Sequence, residues 1–207
     1  MLPPLFANLP SVFVSHYDPE TPWTLLGDAL DTILAGLDLI GEGTRVHPSA
    51  VIEGPVFIGK HVDVRPGAYI RGGSWIGDYC VVGTNTEIKR GILFPGAKAS
   101  HLNYVGDSIL GANVNLAAGT VLSNYRHDAA SIQIAGTNTQ RNKLGAILGD
   151  GVLTGCNSVL HPGCVVGRGT QIYPGVQLRP GVYPAQSIVK LKQELEIVAR
   201  ASPAHPA

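Results

Sequence analysis

Reading every sixth residue from Ile40 returns Ile40, Val46, Ile52, Ile58, Val64, Ile70, Ile76, Val82 and Ile88, an unbroken run of nine aliphatic side chains. Ile, Leu and Val make up 56 of the 207 residues, so such a run arises by chance about once in a hundred thousand starting points. Four residues after each aliphatic comes a side chain that is mostly small or β-branched: Thr44, Ala50, Val56, Val62, Ala68, Ser74, Cys80, Thr86 and Ile92. A period of six is neither the 3.6 of a helix nor the 2 of one long strand. Short strands joined by tight turns account for it, each hexapeptide supplying one inward aliphatic and one small corner residue. Stacked coils then bury a continuous core through parallel ladders. The chain is expected to be all-β, a parallel β-helix in which residues 40–93 make three coils of three hexapeptides.

The phase then slips. Leu110, Leu116 and Leu122 form a second set, and Leu148, Thr154, Leu160, Val166, Ile172 and Leu178 a third. Residues 94–104 and 126–146 fall between the sets and read as insertions, which in a solenoid map to loops on its faces and commonly carry function. Thr21 followed by Pro22 marks a helix start, and Leu25, Leu26, Ala29, Leu30, Ile33, Leu34 and Leu37 make a helical apolar stripe. After Ser187, the spacing of Ile188, Leu191, Leu195 and Val198 predicts a C-terminal helix, with the tail ASPAHPA expected to be disordered. Helices of this kind cover open coil ends or pack on a neighbouring subunit. The expected organisation is 1–39 as an extension with a capping helix, 40–183 as the β-helix and 184–207 as a helix and tail.

Composition narrows the function. Fifteen basic side chains balance fifteen acidic ones, so no general basic field awaits a nucleic acid, and a charged ligand must be met by a local cluster. No run of about 18 apolar residues suggests a membrane span, and MLPPLFANLP lacks the basic n-region of a signal peptide. Three cysteines without CxxC spacing fit a reducing cytoplasm better than a disulfide framework or a zinc site. Cys80 and Cys164 fall at the small-residue repeat position and belong to the core. No Walker loop and no GxGxxG opening a helix occurs, so no nucleoside triphosphate is expected to be used.

The stretch from Val64 to Tyr125 resembles the acetyltransferase domain of the bifunctional glucosamine-1-phosphate acetyltransferase / N-acetylglucosamine-1-phosphate uridylyltransferase enzymes. The resemblance rests on VRPG (64–67), EIK (87–89), HLNYVGD (101–107), ANVNLAAGT (112–120) and SNY (123–125). NYRHD and RNKLGAILGD, beyond that point, are more similar to the archaeal-type sugar-phosphate enzymes with the same domain. The resemblance implies a left-handed β-helix that works as a homotrimer and moves an acetyl group from acetyl-CoA, a cosubstrate, to the 2-amine of an amino-sugar 1-phosphate such as glucosamine 1-phosphate, without a metal. Only about 39 residues precede the coils, where those enzymes carry a nucleotidyltransferase domain, so uridylyl transfer is not expected.

Residue by residue, the resemblance assigns His101 as general base, a role suited to a side chain that titrates near neutral pH. Glu87 matches the carboxylate that orients it. Arg65, Lys89 and Tyr104 match residues that hold the sugar phosphate, where a dianion calls for charge-assisted hydrogen bonds. Asn115, Asn124 and Tyr125 match groups around the sugar. Lys143 matches a further phosphate-binding lysine, with Arg141 as its competitor. Ala118, Cys156 and Pro174 fall on the acetyl-CoA cleft, and Lys190 and Lys192 are candidates for the CoA phosphates against the alternative of a solvated helix face. Cys156 replaces the family's small polar residue, Pro174 its small apolar one, and Arg126 the acidic residue after its Asn-Tyr pair.

Three rivals stand beside this reading. An acyltransferase for another sugar would use the same residues. A non-catalytic trimeric sugar-phosphate binder would have kept the fold and lost turnover. A zinc-dependent γ-type carbonic anhydrase needs three converging imidazoles, and His47, His61, His101, His127 and His161 lack its paired signature.

Overall fold

The computed structural model describes residues 1–35 and 39–199. The coils stack into a left-handed parallel β-helix of about eight turns with three sheets of eight, eight and seven strands. Alternation along each two- to four-residue strand sends one side chain into the prism and the next outward. The first sheet's inward column runs Ile40, Ile58, Ile76, Leu93, Leu110, Leu148, Val166. The second runs Val46, Val64, Val82, Ala99, Leu116, Thr154, Ile172, and the third Ile52, Ile70, Ile88, Val105, Leu122, Leu160, Leu178. All nine aliphatics of the first set are therefore inward, and so are those of the two later sets. Cys80 and Cys164 are buried, and Thr154 keeps its hydroxyl satisfied inside the prism by Thr120 at 2.8 Å and the Ala117 N–H at 3.1 Å.

Residues 94–104 correct the expectation of a first insertion. They form an ordinary coil whose inward residues are Leu93, Ala99 and Val105. The steps Ile88 to Leu93 and Val105 to Leu110 are five residues instead of six, because the corner between the third and first sheets is one residue shorter there. At the first of these corners Arg90 takes a left-handed φ of 48°. A scan in steps of six loses phase at such a corner. Residues 126–146 are a true insertion, carrying an antiparallel ribbon of Gln133–Ile134 and Thr137–Asn138.

The N-terminal segment forms a short helix at Ser11–Val14, a 3₁₀ turn at Pro22–Leu26 and a helix at Asp28–Leu34, the last two broken at Gly27; Leu37 lies outside the described residues. It clads the outer face of the first sheet and does not close a coil end. Phe13, Trp23, Leu25, Leu26, Leu30 and Leu34 bury against the outward Trp75, Ile92, Ile109, Ile147 and Val165, and Ile132, Ile134 and Leu144 of the insertion join them. The Phe13 ring meets Trp75 edge-on at 5.0 Å and Phe57 stacks on it at 5.2 Å. Among the described residues nothing covers the first coil, where Leu39 and Ile40 are 52% and 55% exposed.

The C-terminal helix is a second correction. After the strand Ile188–Val189, residues 190–199 have no regular structure and are exposed, Lys190 and Lys192 among them. Their apolar side chains are exposed and meet no surface among the described residues, and without tertiary packing a short helix is marginal in water. The tail at 201–207 lies outside the described residues. No helix among those described is long and apolar enough to cross a membrane.

Candidate active site

His101 ends the strand Lys98–His101 at the corner between the second and third sheets. Backbone bonds from Leu102 to Thr84, Gly119 to His101, Asn157 to Ala118 and Gly175 to Cys156, all 2.9–3.1 Å, stack this corner coil by coil. They align Thr84, His101, Ala118, Cys156 and, by register, Pro174 in one column. The next residue at each level takes a left-handed φ, from 50° at Asn85 to 72° at Gly119 and Gly175, which turns the chain sharply and leaves the column on the rim. His101, Cys156 and Pro174 are exposed and Ala118 is partly so. Arg65 stands on the same corner two coils earlier, tied to Asp63 at 2.9 Å. Asn115 points outward on the second sheet beside Lys98 and Leu153.

The opposite edge of the third sheet carries a cleft of about 570 Å³ lined by Arg71, Lys89, Tyr104, Asn124, Tyr125, Asn142 and Lys143. Arg71 stands 18 residues before Lys89, one coil, so the two cations stack. Lys89 reaches the Asp107 carboxylate at 3.0 Å with its side chain only 17% exposed. Arg71 pairs with Glu87 at 3.1 Å. A Cβ on Gly106 would come within 2.7 Å of the Tyr104 hydroxyl and 2.8 Å of Asn124 Cγ, so the bare backbone there makes room for both. Burial is the first reason the Tyr104 phenol is held above its ordinary range, and the Glu87 and Asp107 carboxylates add to it. It stays a neutral O–H donor, as an anion-binding phenol must. Tyr125 also walls a second cleft of about 520 Å³, floored by Val121, Val159, Pro162 and Pro180.

The insertion delivers Lys143. Leu144 and Gly145 donate to the carbonyls of Asn124 and Asp107 at 3.0 and 2.8 Å, and Lys143 bridges Tyr125 across an antiparallel contact. Arg141 lies in a different cleft beside Trp23, Gly27 and Asp28, which separates the two competitors for the phosphate role.

One chain thus gathers Lys89, Tyr104, Asn124, Tyr125 and Lys143 on one edge and sets His101, Arg65, Asn115, Ala118, Cys156 and Pro174 on or near the other. Glu87 sits between them and is bound to Arg71. Arg71 and Asn142 line the cleft without a role assigned from the sequence, and Asp107 stands behind it, bound to Lys89 and Asn124. Arg71 was signalled by its one-coil offset from Lys89, and Asp107 closes the HLNYVGD motif, but only the fold brings it between Lys89 and Asn124. Among the described residues no group of three His, Cys, Asp or Glu side chains converges as a metal site would require.

Burial pushes the Cys80 and Cys164 thiols up to about 12, while Cys156 is exposed. Since thiolate fraction and access govern alkylation, iodoacetamide is expected to label one thiol per native chain, at Cys156. Peptide mass spectrometry checks this.

The bacterial transferase hexapeptide (six repeats) pattern matches residues 145–180. A bifunctional sugar-1-phosphate nucleotidylyltransferase/acetyltransferase of Sulfurisphaera tokodaii is 38% identical over 98 residues, 45% of this chain and 24% of that protein. The bifunctional protein GlmU of Methanococcus maripaludis is 37% identical over 122 residues, 58% of this chain and 29% of that protein. The chain thus spans under a third of the length of these relatives. A solved structure of AntD, an N-acyltransferase from Bacillus cereus, with dTDP-4-amino-4,6-dideoxyglucose and coenzyme A, aligns at a TM-score of 0.47 and 17% identity, covering 84% of this chain and 89% of that one. By its repeats, its register and its sequence relatives, the chain is a hexapeptide-repeat left-handed β-helix protein similar to the bifunctional sugar-1-phosphate nucleotidylyltransferase/acetyltransferases.

Proposed function

We propose that the protein is a cytoplasmic acetyl-CoA-dependent N-acetyltransferase acting on an amino-sugar 1-phosphate such as glucosamine 1-phosphate. The observation that carries this reading is the cleft in which Arg71, Lys89 and Lys143 surround Tyr104 and Asn124. Three cations against the Glu87 and Asp107 carboxylates leave a positive balance in a chain whose net charge is zero, which suits a dianionic phosphate held by charge-assisted hydrogen bonds. The amine nitrogen attacks the thioester carbonyl while His101 takes a proton from it. The tetrahedral intermediate collapses to the amide, and the CoA thiolate leaves with the proton returned by the imidazolium.

The amine and the phosphate sit on adjacent carbons of the sugar, yet His101 and the cationic cleft lie on opposite edges of one sheet. A homotrimer resolves this, each copy laying its His101 corner over the next copy's cleft, with Ala118, Cys156 and Pro174 lining the acetyl-CoA groove and Lys190 and Lys192 available to the CoA phosphates. Cyclic closure of such a head-to-tail contact gives a finite assembly. Light scattering is expected to return about 65 kDa, three times the 21.7 kDa of the chain; a monomer at micromolar concentration would sink the completed site. The activity itself is tested by acetyl-CoA consumption against a panel of amino sugars with and without a 1-phosphate. Consumption confined to phosphorylated amino sugars is the expected result, and none with any amino sugar leaves the trimeric binder as the alternative.

A further inference from the structure

We propose that Asp107 is a positioning residue of the acceptor cleft: its buried carboxylate holds the Lys89 ammonium and the Asn124 amide by charge and so fixes where an anionic acceptor is received. The proposal rests on reading the cleft as a phosphate site. The Asp107 side chain is 6% exposed, and one of its oxygens, Oδ2, accepts both from Lys89 Nζ at 3.0 Å and from Asn124 Nδ2. Its backbone is equally committed. The Asp107 N–H donates to the Lys89 carbonyl at 2.7 Å, and its own carbonyl accepts from Gly145 at 2.8 Å. The residue takes a left-handed φ of 43°, a conformation in which Asp, like Asn, is enriched among non-glycine residues. Asp107 therefore joins the coil above through Lys89, the coil below through Asn124 and the returning end of the insertion through Gly145.

Charge makes the arrangement specific. A lysine ammonium so little exposed is held in place only if a buried partner offsets its lost hydration. Without that carboxylate its flexible stem carries the head out to water. Asn124 has no second carboxylate to replace Oδ2 among its hydrogen bonds in the described residues. Asp107 touches no acceptor in this arrangement and acts through the two groups that line the cleft.

Asp107→Asn keeps the shape and an oxygen acceptor and removes the charge. Calorimetry with glucose 1-phosphate, which has a hydroxyl where an amino sugar has its amine, reads acceptor binding without turnover. Its Kd is expected to rise about tenfold or more, the scale of a charge-assisted bond turned neutral, while KM for acetyl-CoA stays within about twofold. In a Lys89→Met background the same change should raise Kd by clearly less than in the wild type, because only the Asn124 contact is left for it to act through. In the wild type, proton exchange at the Lys89 ammonium followed by NMR is expected to be slow beside that of the exposed Lys60. Unchanged or tighter binding in Asp107→Asn, an equal loss in both backgrounds, or Lys89 exchange as fast as Lys60 would overturn the proposal. If Asp107→Asn does not fold, the wild-type exchange measurement decides. If the wild type binds no glucose 1-phosphate, the phosphate reading fails, and the exchange measurement still decides whether Asp107 anchors Lys89.

Discussion

Replacing His101 by Ala is expected to lower acetyl-transfer turnover by roughly 10²- to 10⁴-fold, the usual contribution of positioned proton transfer, with KM for both substrates within a few-fold. The size of the effect follows from the chemistry, since a protonated amine has no lone pair with which to attack the thioester. Its selectivity follows from the site. His101 stands on a rim, outside the cleft that carries the cations, so its loss leaves the phosphate contacts in place. The same loss should appear on every amino sugar the wild type acetylates, phosphorylated or not. Near-normal turnover by His101→Ala would remove the base from the mechanism. Steady-state kinetics at saturating acetyl-CoA measures it directly.

Lys89→Met and Arg71→Met are expected to behave differently in kind. A cation that binds a phosphate stabilises ground and transition states alike, so the change should fall on acceptor KM, by about 10- to 100-fold for one lost hydrogen bond to a charged group, with kcat less affected. A neutral amino sugar without the phosphate should lose most of this effect and keep the whole His101 effect. Arg65→Met is expected to cost less than either, because Arg65 is bound to Asp63 at 2.9 Å and lies away from the cleft that Lys89 and Arg71 share. Equal penalties on phosphorylated and neutral acceptors would show that the cleft is not the phosphate site.

Arg65 and Arg71 also show where the sequence stopped being legible. Arg65 lies in a recognisable VRPG motif, whereas Arg71 sits in IRGG, which resembles nothing in particular. What links Arg71 to Lys89 is the length of one coil, and that length varies. Three steps of six residues give a coil of 18, and two of six with one of five give 17, so a one-residue change at Lys89-Arg90-Gly91 shifts every later column. The same slip made an ordinary coil at 94–104 read as an insertion and placed His101 on a loop when it ends a strand.

The sequence alone determined the β-helix, because its signal is local: each hexapeptide carries its own inward aliphatic and small corner residue, and nine successive copies leave no other period open. It determined the motifs around His101, Lys89, Tyr104 and Asn124 for the same reason, each being short and contiguous. The tertiary structure decided which side chains meet. Stacking, a relation between residues a coil apart, put Arg71 over Lys89, gathered His101, Ala118, Cys156 and Pro174 into one column and set the two groups on opposite edges. Packing of the extension against Trp75, Ile92 and Ile147 sent it along a face, because that outward apolar stripe gives its own apolar side chains a surface to bury against. Residues 190–199, with the right spacing but no such surface among the described residues, formed no helix.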